Sequence, residues 1–293
     1  MILSWPITDQ PDSLGEGPAP IPGGMRWVDI DDATIWVATL TGAGESTVTT
    51  DRRALYRGHG TTGASAAATD GGLIVAEHRD LVHVDALGRE QRRFPVIPTS
   101  QASRLNDGAV DPAGRYLVGS LPLDDREQTE QLVRLGADGS LTVLDDDLTI
   151  SNGLVWSADG GTLYSIDSIP GVVWARDYDP TGTAVGPRRR AFSVDNGLPD
   201  GMAIDAEGRL WIAIWGAGEV RCYETSGRVV DVVSVAARHP TSCAFVGPAA
   251  DVLVITSAGK VVDGRQPGPA DGLVYAALPG TTGPAPTLWQ PLD

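Results

Sequence analysis

Four short segments carry side chains able to do metal or acid–base chemistry: LGEGP at 14–18, SRLNDG at 103–108, ISNGL at 150–154 and LPDGM at 198–202. Each presents a carboxylate or carboxamide at the same register, Glu16, Asn106, Asn152 or Asp200, with a glycine within two residues. Oxygen-only donors that include two carboxylates suit a hard divalent cation such as Ca2+, Mg2+ or Mn2+, with water completing the shell. A carboxylate among them can also serve as general base toward water. Taken singly, Asn-Gly and Asp-Gly are ordinary turn dipeptides. Four at one register of a repeat are harder to assign to turns alone.

Other chemistries find few residues here. The nucleophile elbow G-x-S-x-G, the P-loop and the H-E-x-x-H zinc motif are missing. The histidines, His59, His78, His83 and His239, are scattered, which argues against a zinc site built from several imidazoles. His78, His83 and His239 read as structural or surface residues. Cys222 and Cys243 form no C-x-x-C and are too few for a disulfide framework.

The formal charge of −16 opposes binding to phosphate backbones or anionic lipid heads, so nucleic acid and membrane are not expected as partners. The one basic run, Arg188-Arg189-Arg190, reads as a solvated loop. Residues 1–10 lack the basic start and apolar stretch of a secretory leader, and no apolar run reaches 18 residues. A reducing cytoplasm is the expected location. An apolar fraction of 42% is that of a globular chain, while 36 Gly and 21 Pro in 293 residues demand many turns and few long helices.

The elements that must position the four polar residues follow from an internal repeat. Strand-like runs recur at 25–30, 73–78, 115–121, 162–168, 209–215 and 251–257, most of them after a tight turn such as DPAG, SADG or DAEG. Aligned on Gly24, Gly71, Gly114, Gly160, Gly208 and Ala250, the units are separated by 47, 43, 46, 48 and 42 residues. Second hairpins with D-G and S-G turns follow at 131–144 and 219–233. Units of this length with about four strands each indicate an all-β, six-bladed β-propeller of four-stranded blades around a central channel, with residues 1–293 as a single domain. The segments 2–8 and 287–292 are expected to meet and close the ring.

Eight residues before each aligned turn stand Glu16, Gly63, Asn106, Asn152, Asp200 and Ser242. Equivalent positions in a propeller form a ring, so these open the innermost strands at one mouth of the channel. Glu16, Asn152 and Asp200 are expected to converge there. The adjacent glycines permit unusual φ and close backbone approach near a crowded axis.

At LGEGP, RLNDGAVDPAGRYLVGS, ISNGLVWSADGGTLYSIDS and LPDGMAIDAEGRLWIAIW, and more faintly at TSCAF (241–245), the chain resembles the regucalcin–gluconolactonase family, the senescence-marker-protein and luciferin-regenerating-enzyme-like group. The resembling segments run in order along nearly the whole chain. The resemblance implies a divalent cation held by Glu16, Asn152 and Asp200, substrate contacts from Arg104 and Asn106, and a further acidic contact from the next loop. Asp124 is the nearest equivalent there, with Asp125 and Glu127 as competitors. That loop departs from the family pattern, Gln131-Leu132-Val133-Arg134 replacing the usual Gly-x-Leu-Tyr, which bears on the substrate more than on the metal. The implied reaction is metal-dependent hydrolysis of a sugar lactone (an aldonolactone) to its aldonic acid, with Asp200 as catalytic base. Ca2+ is the first choice of cation, with Mg2+, Mn2+, Zn2+ or Fe2+ as alternatives. Two other functions use the same cage: a phosphotriester-type hydrolase, and a metal- and ligand-binding propeller without enzymatic activity.

Overall fold

In the computed structural model, which describes residues 1–124 and 128–292, strand-forming runs separated by glycine turns fold into six sheets, each built on four antiparallel strands. The blades span 15–57, 62–95, 103–148, 151–193, 198–234 and 240–277 and are numbered 1 to 6 below. Their innermost strands are Gly15–Ile21, Thr62–Ala67, Ser103–Val110, Ser151–Trp156, Leu198–Ile204 and Pro240–Val246. Each packs beside the innermost strands of its neighbours, which makes a six-bladed β-propeller around a channel. The observed strands Tyr116–Pro122, Thr162–Asp167 and Leu210–Trp215 begin and end within a residue of the runs read from the sequence. Among the described residues the sole helix is the single 3-10 turn Gly44–Ser46, and none is long and apolar enough to cross a membrane.

Six hydrophobic clusters separate the blades, because each sheet buries both faces against its neighbours. Between blades 5 and 6, Trp211 meets Phe245 edge-on at 6.2 Å, a favoured aromatic geometry. Between blades 3 and 4, Leu117, Leu132, Leu154 and Leu163 fill the gap at or below 5% exposure. Cys222 and Cys243 are free thiols within the cluster between blades 5 and 6.

Ring closure differs from the expectation. The termini do not meet; the N-terminus closes the ring by itself. Trp5–Pro6 is the outermost strand of blade 6, Trp5 opposite Ala276, and Ile2–Leu3 runs parallel to Val229–Ser234 of blade 5. The C-terminal segment instead crosses the face that carries the inner-strand turns. Thr282 O accepts from Ala206 N, Gly283 N donates to Ala250 O, Trp289 bridges Ala68, and Gln290 N donates to Gly114 O. One local reading also changes, and one further glycine motif takes its meaning from the fold. The left-handed turn residue of blade 1 is Gly23 (φ 74°), not Gly24. Gly58-His59-Gly60-Thr61-Thr62-Gly63 has the spacing of a dinucleotide fingerprint, yet it opens the strand Thr62–Ala67 and not a helix, so it forms no such phosphate site.

Candidate active site at the channel mouth

Every innermost strand has one extra residue against its neighbour at the register of the polar ring. The shifts fall between Glu16 and Ala19, Thr62 and Ala64, Leu105 and Gly108, Asn152 and Leu154, Pro199 and Met202, and Pro240 and Ser242. A bulge breaks the two-residue alternation and re-aims one side chain, here toward the channel axis. The adjoining glycines serve this in two ways. Gly17 (φ 49°) and Gly153 (φ 21°) take left-handed backbone, whereas a Cβ on Gly201 would lie 2.1 Å from Ser242 Oγ.

The result is one cavity of ≈ 300 Å3 onto which Glu16, Arg104, Asn106, Asn152 and Asp200 all open, from blades 1, 3, 4 and 5. All five are 5–8% exposed. Asn152 Nδ2 donates to Ser168 Oγ at 2.9 Å, and Ser168 Oγ donates to Pro199 O at 2.7 Å, beside Asp200. Ser168 thereby ties blade 4 to blade 5 at the site. Asn106 Nδ2 donates to Asn152 Oδ1 (2.9 Å) and Ser151 O (3.0 Å), while Arg104 Nη1 donates to Asn106 Oδ1 (2.8 Å) and Leu105 O (2.9 Å). Behind this layer, Asp29 accepts backbone N–H bonds from Ser13 and Leu14, and Asp167 accepts those of Thr149 and Ile150. Two buried carboxylates thus fix the loops that lead into Glu16 and Asn152.

Electrostatically the site is uncomfortable without a cation. Burial, then the charges of Asp200 and Asp107, push the Glu16 carboxyl well above its usual range; Gly17 N–H and Arg104 oppose this. Burial and Asp107 push Asp200 up likewise, against Arg104 and Lys260. Burial lowers the Arg104 guanidinium to about 10. Among the described residues, Glu16 accepts one hydrogen bond, from its own neighbour Gly17 N (3.1 Å), and Asp200 accepts none. Two deeply set carboxylates beside a carboxamide oxygen, without a bonded cationic side chain, are a donor set that fits a hard divalent ion.

Asp124 is exposed and follows the strand Tyr116–Pro122, whose Leu121 lines the cavity; Asp124 itself does not line it. Asp125 and Glu127 lie outside the described residues. Sequence reasoning missed Ser168, Trp215 and Lys260, which do line the cavity. Lys260 had a signal, being the chain's only lysine. It also missed the direction of Asp107, which the bulge turns to a second cavity of ≈ 530 Å3 on the opposite side, walled by Arg26, Ser65 and the C-terminal residues 284–287.

A family model described as the SMP-30/Gluconolactonase/LRE-like region matches residues 14–259, and the chain belongs to that family. Regucalcin of Danio rerio is 37% identical over 193 residues, 64% of this chain and 65% of that protein, so the match spans just under two thirds of this relative. A pentonolactonase of Haloferax volcanii is 34% identical over 265 residues, 88% of this chain and 86% of its own. Among solved structures, a calcium-binding protein, regucalcin, of Agrobacterium tumefaciens superposes with a TM-score of 0.84 at 25% identity, covering 98% of each chain.

Proposed function

We propose that this member of the family is a sugar lactonase that opens an aldonolactone to its aldonic acid, residues 1–293 acting as one domain. The observation that carries the reading is the buried pair Glu16 and Asp200 facing one small cavity together with Asn152, Asn106 and Arg104. The likeness to a pentonolactonase over most of both chains supports the same reaction class. Glu16, Asn152 and Asp200 would hold one divalent cation, with Ca2+ favoured by the calcium-binding regucalcin relative. Such a cation, when bound, supplies Lewis-acid polarisation of the lactone carbonyl and stabilisation of the oxyanion.

The chain's own residues perform the remaining work. Asp200, set deep in the cavity, takes a proton from the attacking water as its oxygen adds to the carbonyl carbon. Collapse of the tetrahedral adduct breaks the ring C–O bond, and the ring oxygen leaves as a hydroxyl after receiving that proton. Arg104 and Asn106 hold ring oxygens and hydroxyls, turning an encounter into a positioned reaction. Asp124 is assigned to the rim of the same opening. Buried free thiols at Cys222 and Cys243 suit a reducing compartment such as the cytoplasm.

A pH-stat assay of five- and six-membered aldonolactones beside an activated phosphotriester tests the assignment. Lactone opening should exceed the spontaneous rate and fall about 10²-fold or more in Asp200→Asn. Hydrolysis of the phosphotriester alone, or of neither substrate, would contradict it.

A further inference from the structure

We propose that Lys260 makes this pocket an acceptor for lactones that carry a second, anionic group, a free carboxylate remote from the ring ester; the proposal rests on the lactonase reading and narrows its substrate class. Lys260 is the single lysine of 293 residues, and it lines the same ≈ 300 Å3 cavity as Glu16, Asp200 and Arg104. It sits after the strand Val252–Ser257 of blade 6. In a six-membered ring blade 6 stands opposite blade 3, which bears Arg104, so cationic groups flank the acidic pair from two sides. The other walls combine apolar Leu14 and Ile30 with Trp215 and with the neutral polar groups of Asn106, Asn152 and Ser168, so Lys260 and Arg104 are the cationic groups that line the cavity. A ligand whose ester lies against Glu16 and Asp200 and whose far end turns toward blade 6 meets an ammonium group there.

Lys260 is held ready and loosely. Its Nζ lies 3.3 Å from Asp31 Oδ2, and the side chains of the pair are 34% and 39% exposed. Water and salt screen an ion pair of that exposure, so exchanging Asp31 for a substrate carboxylate costs little. Asp31 keeps a partner after the exchange, because Ser13 Oγ donates to it at 3.0 Å.

The test compares two ligands on one carbon skeleton, an aldarate dianion and an aldonate monoanion, by calorimetry. Parent protein, Lys260→Met and Lys260→Glu are used with Ca2+ matched in cell and syringe, and kcat/KM is measured for the two corresponding lactones. The parent should bind the dianion at least about tenfold more tightly, the size expected of one charge-assisted hydrogen bond. Lys260→Met should remove about that factor of discrimination in binding and in kcat/KM, and Lys260→Glu should reverse it. Equal binding of both ligands by the parent, or a preference that persists in Lys260→Met, overturns the proposal. If the parent opens neither lactone the lactonase reading falls, while the binding comparison still decides whether Lys260 selects a carboxylate.

Discussion

Gly201→Ala probes the coupling between blade packing and the site. Gly201 follows Asp200 in the innermost strand of blade 5, and a Cβ there would lie 2.1 Å from Ser242 Oγ, 2.5 Å from Ser242 Cβ and 2.7 Å from Ser242 Cα. Rotating the serine side chain relieves the first contact only. Ordinary contact with the Cα requires the two strands to part by about 0.7 Å, and Asp200 must move with its strand. Gly201 has no positive φ, so alanine suits the backbone and the effect is steric. Overpacking of this kind costs about 1–3 kcal/mol, which for a chain of this length lowers Tm by roughly 2–5 °C. A shift approaching 1 Å at a reacting group costs about 10²-fold in rate, so kcat should fall far more than stability would suggest. Thermal melts and lactone kinetics on Gly201→Ala, Ser242→Gly and the double variant form a cycle. The double variant should recover about 1 kcal/mol through removal of the two side-chain contacts. A Gly201→Ala protein with parental Tm and kcat would show that blades 5 and 6 do not set the position of Asp200.

Three other outcomes follow from the same structure. Ca2+ at about a hundred times its Kd should stabilise the parent by about 2.7 kcal/mol in denaturant melts. Glu16→Gln and Asp200→Asn should lose that gain, and in chelator they should be more stable than the parent at neutral pH, since each removes a buried, repelled carboxylate. Burial raises Asp107 from 3.8 to about 6. Between those values the folded chain keeps a proton that the unfolded chain has released, so stability falls as pH rises across that window; urea midpoints should show the slope in the parent and not in Asp107→Asn, which should be the more stable at pH 7. Deleting residues 1–6 removes the outer strand of blade 6 and the pairing of Ile2 with Val233, so the truncated chain should melt about 10 °C lower or more, and parental melting would refute closure by the N-terminus.

The blade period was legible because turns such as DPAG and DAEG repeat a local physical requirement, a left-handed residue between two apolar runs. Their carboxylates close the turns: Asp111 accepts from Arg115 N, and Asp205 from Arg209 N. The polar ring was legible for the same reason, as a position counted from those turns. Its bulges were not, since a bulge is a relation between two strands and leaves no fixed mark in one. Hence the glycines could be recognised as permissive but not sorted into left-handed Gly17 and close-packed Gly201, and Asp107 could not be assigned to the far side of Asn106. The two-residue strands Ile2–Leu3 and Trp5–Pro6 are too short to carry a period. Ser168 and Lys260 reach the cavity from the loops that follow the second strands of blades 4 and 6, where only tertiary packing determines which residue faces the channel.

The central claim is that Glu16, Asn152 and Asp200 hold a divalent cation on which lactone opening depends. The direct measurement is the initial rate of aldonolactone hydrolysis by chelator-treated, desalted protein during stepwise addition of Ca2+. A rate near the spontaneous one that rises to saturation with one equivalent bound, in the parent but not in Glu16→Gln, is the predicted result. Full activity in excess chelator, or no activity with Ca2+, Mg2+, Mn2+, Zn2+ or Fe2+, would contradict it.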